Sequence, residues 1–321
     1  MNLLITGISG QMGQAMVGRL FVNNPFTRVV GVDRVPPSVL GPAHYVETDL
    51  RTVDMGDLLA TNEIDVVIHC AMGDGFADEK AMISTLEVVT EAVRQTEVTR
   101  LVVPSRDWVY DTSDIAASET DFTAGIAAED QPRISKGKSM TRRHHPGVQS
   151  ARAVELMLAQ MAETPGMPSI VIPRFGTMIG PHRTDTFNAI LKHRFLLTSP
   201  IARQCYQVLH IEDAAQFLLA CATQPNLNGA YNIASDEILS LETIAGILEK
   251  KLVVLPVWAL KVYVSVFARS GALEFSYRDL VRVQLGAPMN TQRMQTVLGR
   301  PRLTSRQALA LWRAQGHGEP S

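Results

Sequence analysis

Short apolar, β-rich runs alternate along the chain with longer stretches of helical period. Asn2 to Thr6 reads as a strand. From Gln11, apolar residues fall at Met12, Met16, Leu20 and Phe21, and Pro25 closes that helix. Val29 to Val32 is a second strand that ends in Asp33, and His44-Tyr45-Val46 is a short third that leads to Asp49-Leu50. Asp65 to His69 is a strongly apolar strand. A helix follows from about Asp78 to Gln95, with Met82, Leu86, Val89 and Val93 on one face. Leu101 to Pro104 and Ser169 to Pro173 are strands flanking a helix from about Val148 to Glu163. A further helix spans Ile211 to Thr223. Strands alternating with helices predict an α/β fold: a doubly wound parallel sheet covered on both faces. Ligands of such sheets sit beyond the carboxyl ends of the strands. That rule gathers Gly7 to Gly13, Asp33, Cys70 to Gly73 and Ser105 to Asp111 around one crevice.

The turn between the first strand and the first helix reads TGISGQMG, residues 6 to 13. Residues without Cβ atoms at Gly7, Gly10 and Gly13 let the backbone turn tightly and approach a pyrophosphate. The N–H groups at the helix start, including those of Gln11 and Met12, face the phosphates, where the helix dipole favours negative charge. Gly13 lets the helix pack closely on the strand. Asp33 lies at the next strand end, where a carboxylate accepts the ribose hydroxyls of an adenosine and repels a 2′-phosphate. NAD is therefore the expected dinucleotide, with Arg34 leaving NADP open because a neighbouring arginine can hold that phosphate. This is a Rossmann-type arrangement.

Composition adds bounds. The 321 residues are 46% hydrophobic and 19% charged, a soluble globular balance with a large core. A net charge of −2 gives no reason to expect nucleic acid as a partner. The first apolar run ends at once in glycines, unlike a signal peptide. Cys70, Cys205 and Cys221 are odd in number and lack metal spacing, so they read as reduced thiols of a cytoplasmic protein. The most apolar stretch, Leu252 to Ala268, is interrupted by Pro256 and Lys261 and is short for a membrane span. It reads as a strand or loop followed by a packed helix. The sharper readings are an apolar wall for a substrate, or a surface that touches membrane.

Motifs in order along nearly the whole chain resemble the extended short-chain dehydrogenase/reductases, the group of NAD-dependent epimerases and dehydratases. TGISGQMG resembles the family's cofactor loop, and Asp49-Leu50 its adenine-contacting pair. His69-Cys70-Ala71 resembles the His-x-Ala segment lining the cofactor, with Met72 beside it. Val109-Tyr110-Asp111 resembles Val-Tyr-Gly, and Arg174 with Gly180-Pro181 resembles the segment after the sixth strand. Leu209 to Asp213 and Tyr231-Asn232-Ile233 are similar to two later family segments. The resemblance implies a dinucleotide-binding domain of residues 1–174 plus about 206–234. The remainder, about 175–205 plus 235–321, becomes a smaller substrate domain. It also implies homodimers through the helices near 78–95 and 148–163.

The family works with a Ser or Thr, a Tyr and a Lys. Those positions fall here on Arg106, Gly147 and Ala151, and no Tyr-x-x-x-Lys occurs anywhere in the chain. The chain thus resembles an atypical branch. Candidates for substitute chemistry are Arg106 as a bidentate holder of an anionic substrate, Asp107 as a base and His145 as a proton shuttle within a basic loop. Tyr110, Cys70, His210 and Asp213 read rather as structural. Two functions stay open: an oxidoreductase acting on a small anionic molecule such as a nucleotide sugar, with a replaced proton donor, or a catalytically silent dinucleotide-binding sensor or scaffold.

Overall fold

The computed structural model describes residues 1–72, 79–110, 146–181, 185–200, 205–284 and 288–317. The first half runs β1 (Asn2–Thr6), α1 (Gln11–Val22), β2 (Arg28–Asp33), β3 (His44–Glu47), α2 (Met55–Thr61), β4 (Val66–His69), α3 (Glu79–Gln95), β5 (Arg100–Val102), β6 (Ser105–Arg106), α4 (Pro146–Ala162) and β7 (Ser169–Phe175). The second half adds β8 (Thr177–Ile179), α5 (Thr186–Lys192), β9 (Phe195–Thr198), β10 (Cys205–Tyr206), β11 (Val208–His210), α6 (Ile211–Thr223) and β12 (Gly229–Ile233). It closes with β13 (Leu239–Ser240), α7 (Leu241–Ile247), β14 (Lys251–Val254), α8 (Val257–Arg269), α9 (Tyr277–Gln284), α10 (Gln292–Val297) and α11 (Ser305–Trp312).

The central sheet is parallel, in the order β12-β7-β5-β4-β1-β2-β3, with β6 also pairing β7. Its strands are apolar on both sides; every residue of β4 is buried, and so are Leu3, Leu4 and Ile5 of β1. Two cores explain this. One joins alternate strand residues such as Leu4, Val67 and Leu101 to Leu59 of α2, Leu86 of α3 and Val154 of α4. The other joins Leu3, Ile5 and Ile68 to Met16 of α1 and Leu218 of α6. Side chains alternate across each strand, so helices must cover both faces. The fold is therefore the doubly wound α/β fold that the alternation predicts.

From β1 the chain builds β2 and β3 on one side, then crosses to β4 on the other. The strand order reverses there, and the connections leaving β1 and β4 diverge to open a crevice. A third core lies elsewhere: Ile190, Leu196, Tyr206, Ile244, Leu260, Leu280, Leu309 and Trp312 pack together. The tail does not stay in that cluster. Met289 joins the first core and Met294 the second. Leu252 to Ala268 divides into β14, which pairs with β9, and α8 after Pro256, as a strand followed by a packed helix.

Candidate functional site

The β1–α1 turn is shaped by what its glycines lack. Gly7 has φ +72°, the left-handed region, and a Cβ there would lie 2.8 Å from the Ala71 nitrogen. No other residue type allows β1 and β4 to approach so closely at their ends. A Cβ on Gly13 would lie 2.4 Å from the Ile8 carbonyl oxygen and 2.5 Å from that of Gly7. Gly13 thus makes room for the turn's own backbone, rather than for the strand as the spacing had suggested. Helix α1 starts at the extended residue Gly10, with no capping side chain and no acid in its first turn. Such a helix start presents N–H groups and positive dipole to an anion.

Asp33 ends β2 with a fixed carboxylate. Its Oδ2 accepts from the Ser9 backbone N–H at 3.0 Å, and its Oδ1 from that of Arg34 at 2.7 Å. The Thr48 N–H and the Tyr45 hydroxyl donate to the Asp33 carbonyl oxygen, at 2.9 and 3.2 Å. The β2 end is thereby tied to the loop after β3, where Asp49 sits. Arg51 donates to Asp49 through Nε at 3.0 Å and through Nη2 at 2.5 Å, and holds its carboxyl well below the usual carboxylate range.

These groups line one cavity of about 510 Å³. Its wall includes Gly7, Gly10, Asp33, Arg34, Asp49, Leu50, Cys70 and Ala71 among the residues expected from the sequence. Gln11, Met12, Gly13 and Met72 are not on that wall: Met72 is buried in the first core, and Met12 packs on the second. Ser9, Thr48, Arg51 and Thr85 line the cavity without having been singled out beforehand. Arg51 had a local signal, two residues past Asp49; Thr85 comes from the packing of α3 and had none.

At the base, His69 Nδ1 lies 2.8 Å from Thr6 Oγ1, and burial pushes the ring down to about 4, so it is neutral. Burial pushes the Cys70 thiol up to about 12, which leaves it protonated and unreactive.

The half of the sheet that holds β6, β7 and β12 carries a buried polar network. Glu155 of α4 accepts from Ser105 Oγ at 2.5 Å and from Arg174 Nε at 3.0 Å and Nη2 at 2.6 Å. Arg174 Nη1 donates to the Tyr110 hydroxyl at 2.8 Å, and that hydroxyl donates to Asn232 Oδ1 at 2.6 Å. Asn232 Nδ2 donates in turn to the Asn290 carbonyl at 3.0 Å. The network joins β6, α4, β7 and β12 to the C-terminal stretch. Burial pushes the Tyr110 hydroxyl up to about 12, against the opposing pull of Arg174. Both its hydrogen-bond partners are buried, so Tyr110 has a packing role. Asp213 is likewise structural: its Oδ2 accepts from the Leu303 N–H at 3.1 Å, and His210 caps α6.

Arg106 ends β6 with its guanidinium 4.9 Å from the Trp108 ring centre, and Asp107 is buried in the 3-10 turn that follows. Neither is on the cavity wall. Gly147 and Ala151 lie in the first turns of α4, both buried. His145, Gly73, Asp78 and Asp111 lie outside the described residues.

Residues 3–234 match the model of the NAD dependent epimerase/dehydratase family. The chain belongs to that family. Its cofactor is NAD, and the crevice fits it: a glycine cradle with no room for Cβ atoms, an uncapped helix start and a positioned carboxylate are what the pyrophosphate and ribose require. Over 263 residues the chain is 24% identical to a trifunctional UDP-glucose 4,6-dehydratase/UDP-4-keto-6-deoxy-D-glucose 3,5-epimerase/UDP-4-keto-L-rhamnose-reductase of Arabidopsis thaliana. That match covers 73% of this chain and 37% of the plant protein, so the chain spans about a third of the length of the curated relatives it matches. Solved structures agree in fold along the whole length. MoeE5 in complex with UDP-glucose and NAD aligns with TM-score 0.67 and 22% identity, covering 98% of this chain and 99% of the other. UDP-glucuronic acid 4-epimerase from Bacillus cereus with NAD gives 0.68 and 18%, covering 99% and 100%. dTDP-glucose 4,6-dehydratase from Bacillus anthracis with NAD gives 0.70 and 14%, covering 98% and 96%. The family is one of enzymes, and the described residues contain no helix long and apolar enough to cross a membrane.

Proposed function

We propose that the protein is an NAD-binding epimerase- or dehydratase-type oxidoreductase acting on a small anionic substrate of the nucleotide-sugar class, with a proton donor other than the family's tyrosine. The observation that carries this reading is the fixed Asp33 carboxylate facing a glycine cradle in one cavity. In it, Gly7, Gly10 and the N–H groups of Gln11, Met12 and Gly13 hold the pyrophosphate. Asp33 accepts the ribose hydroxyls, with Arg34 beside it. Asp49 and Leu50 border the adenine, and Cys70 and Ala71 form the floor, with Met72 behind them. When bound, NAD accepts a hydride from a substrate carbon and can return it.

The reacting end departs from the family. Arg106 stands at the Ser position and supplies a fixed positive charge for a carboxylate or phosphate. Ser105 and Tyr110 direct their hydroxyl protons to the buried Glu155 and Asn232, and Arg174 donates to Tyr110, so neither is assigned the proton transfer. The proton shuttle is assigned to His145, with Asp107 as the alternative base. The 1–174 plus 206–234 and 175–205 plus 235–321 division, a homodimer through α3 and α4, and a cytoplasmic location belong to the same reading; the free Cys70, Cys205 and Cys221 suit a reducing compartment.

One observation favours a second reading, a catalytically silent dinucleotide-binding sensor or scaffold. Ala151, at the Lys position, is fully buried in the first core and touches no solvent. The test is to incubate the NAD-loaded protein with UDP-glucose, UDP-glucuronate and dTDP-glucose and to follow nicotinamide absorbance and sugar products. A change lost in His145→Ala, with weaker substrate saturation in Arg106→Ala, supports the enzyme as written. Turnover that survives both substitutions removes those two assignments. Bound NAD with no change on any sugar moves the conclusion to the silent binder.

A further inference from the structure

Helix α8 is apolar on the side it turns away from the protein. Leu260 and Val264 are buried in the third core and hold the helix down. On the opposite side, Trp258, Val262 and Val266 follow at i, i+4 and i+8, and are 72, 57 and 54% exposed. An ordinary surface helix covers that side with charged and polar residues. The charged side chains of α8 are Lys261 and Arg269, both exposed and both positive. Arg269 continues the Trp258–Val262–Val266 face, and Lys261 borders it. Between Glu249 and Glu274 the chain has no acidic residue, although the whole protein has a net charge of −2. The basic, apolar strip is thus local.

We infer that α8 is a membrane-surface helix that lies along an anionic phospholipid bilayer, with Trp258, Val262 and Val266 entering the headgroup boundary and Lys261 and Arg269 meeting lipid phosphates. Exposed Trp and Val on one face with cations at the border is the composition of such helices. The long basic side chains lay their stems on apolar surface and keep their charge among the headgroups. Thirteen residues extend only about 20 Å, short of a hydrocarbon core of roughly 30 Å, so the helix lies on the bilayer and does not cross it. A second copy of the chain fits less well. A two-fold contact through α8 brings two more cations, the second copy's Lys261 and Arg269, to the same face, with no acid on the helix to pair with them.

The full chain with NAD is mixed with vesicles of phosphatidylcholine, alone or with phosphatidylglycerol, and followed by sedimentation and Trp fluorescence. Trp108 and Trp312 are buried, so Trp258 is the exposed indole of the three. The expected result is co-sedimentation with the phosphatidylglycerol vesicles, weakened by salt, with Trp258 emission shifted to the blue and protected from acrylamide. Trp258→Ser with Val262→Ser abolishes binding. Lys261→Glu with Arg269→Glu lowers it at least about tenfold, since each basic residue contributes about fivefold at an anionic surface. Both double variants keep the circular dichroism of the parent and its thermal stabilisation by NAD, because the changed side chains are outside the core. No sedimentation with either vesicle at low salt overturns the inference, as does undiminished binding by the two variants. Equal binding to neutral vesicles removes the anionic partner. A concentration-dependent dimer that protects Trp258 without lipid assigns the face to a second copy instead.

Discussion

His69 shows how one buried residue sets a pH dependence. Its ring is fully buried against Thr6 and neutral, pushed down to about 4 from 6.5. The unfolded chain therefore binds a proton that the folded chain refuses between those values. Stability from this residue is complete above pH 6.5 and is lost as pH falls towards 4, by roughly 3 kcal/mol. Denaturant unfolding of the protein and of His69→Gln across that window checks the expectation: the variant gives the shallower slope, and parallel slopes refute it. Asp33 holds the Ser9 and Arg34 N–H groups, and in the proposed site it also faces the ligand. In the proposed site, Asp33→Ala removes the ribose acceptor and the partner of the Ser9 N–H, and is expected to weaken NAD binding about tenfold to a hundredfold, as for a hydrogen bond to a charged group. Calorimetric titration measures that loss. Equal affinities in parent and variant would put the adenosine elsewhere.

Helix α4 and strand β7 are joined by the Glu155–Arg174 pair, with side chains only 9 and 4% exposed. Arg174→Met leaves a buried carboxylate facing Ser105 alone, at a cost of about 3 to 5 kcal/mol. Adding Glu155→Leu restores much of the loss, since an apolar pair has no charge to desolvate. The two variants, compared by urea unfolding, separate an uncompensated charge from lost packing: equal destabilisation of both means packing is the cause. At the other end, α11 carries a capping box in which Thr304 and Gln307 satisfy each other's backbone N–H groups. Thr304→Ala costs about 1 kcal/mol.

For the whole molecule, the proposed site has NAD tie β1, β2 and β4 together at the point where the sheet order reverses. At a hundred times its Kd it raises stability by about 2.7 kcal/mol, which is a rise of a few degrees in Tm. A thermal scan with each of NAD+, NADH, NADP+ and NADPH reads this directly. A rise with the NADP pair alone would mean that Arg34 rather than Asp33 sets the choice of dinucleotide. The same scan on Asp33→Ala isolates the cofactor's share, because the third core with Trp312 and α8 lies outside the crevice.

Strand and helix positions were legible along the chain because both sheet faces are buried, so each strand reads as an apolar run and each covering helix repeats with its own turn. β1 and α6 have the bounds that pattern implied, Asn2–Thr6 and Ile211–Thr223. Much of the cavity lining was legible for the same reason: Gly7, Gly10 and Asp33 are tied to strand ends, and strand ends can be read. Contacts between distant residues could not be read. The Ser105–Glu155–Arg174–Tyr110–Asn232 network draws on four separate stretches, and no local spacing announces a carboxylate on a helix that meets a guanidinium on a strand. Nor could the pattern tell that α8, apolar in every turn, buries Leu260 and Val264 while leaving Trp258 and Val262 in solvent. Periodicity records which residues share a face, but only packing decides which face the protein covers.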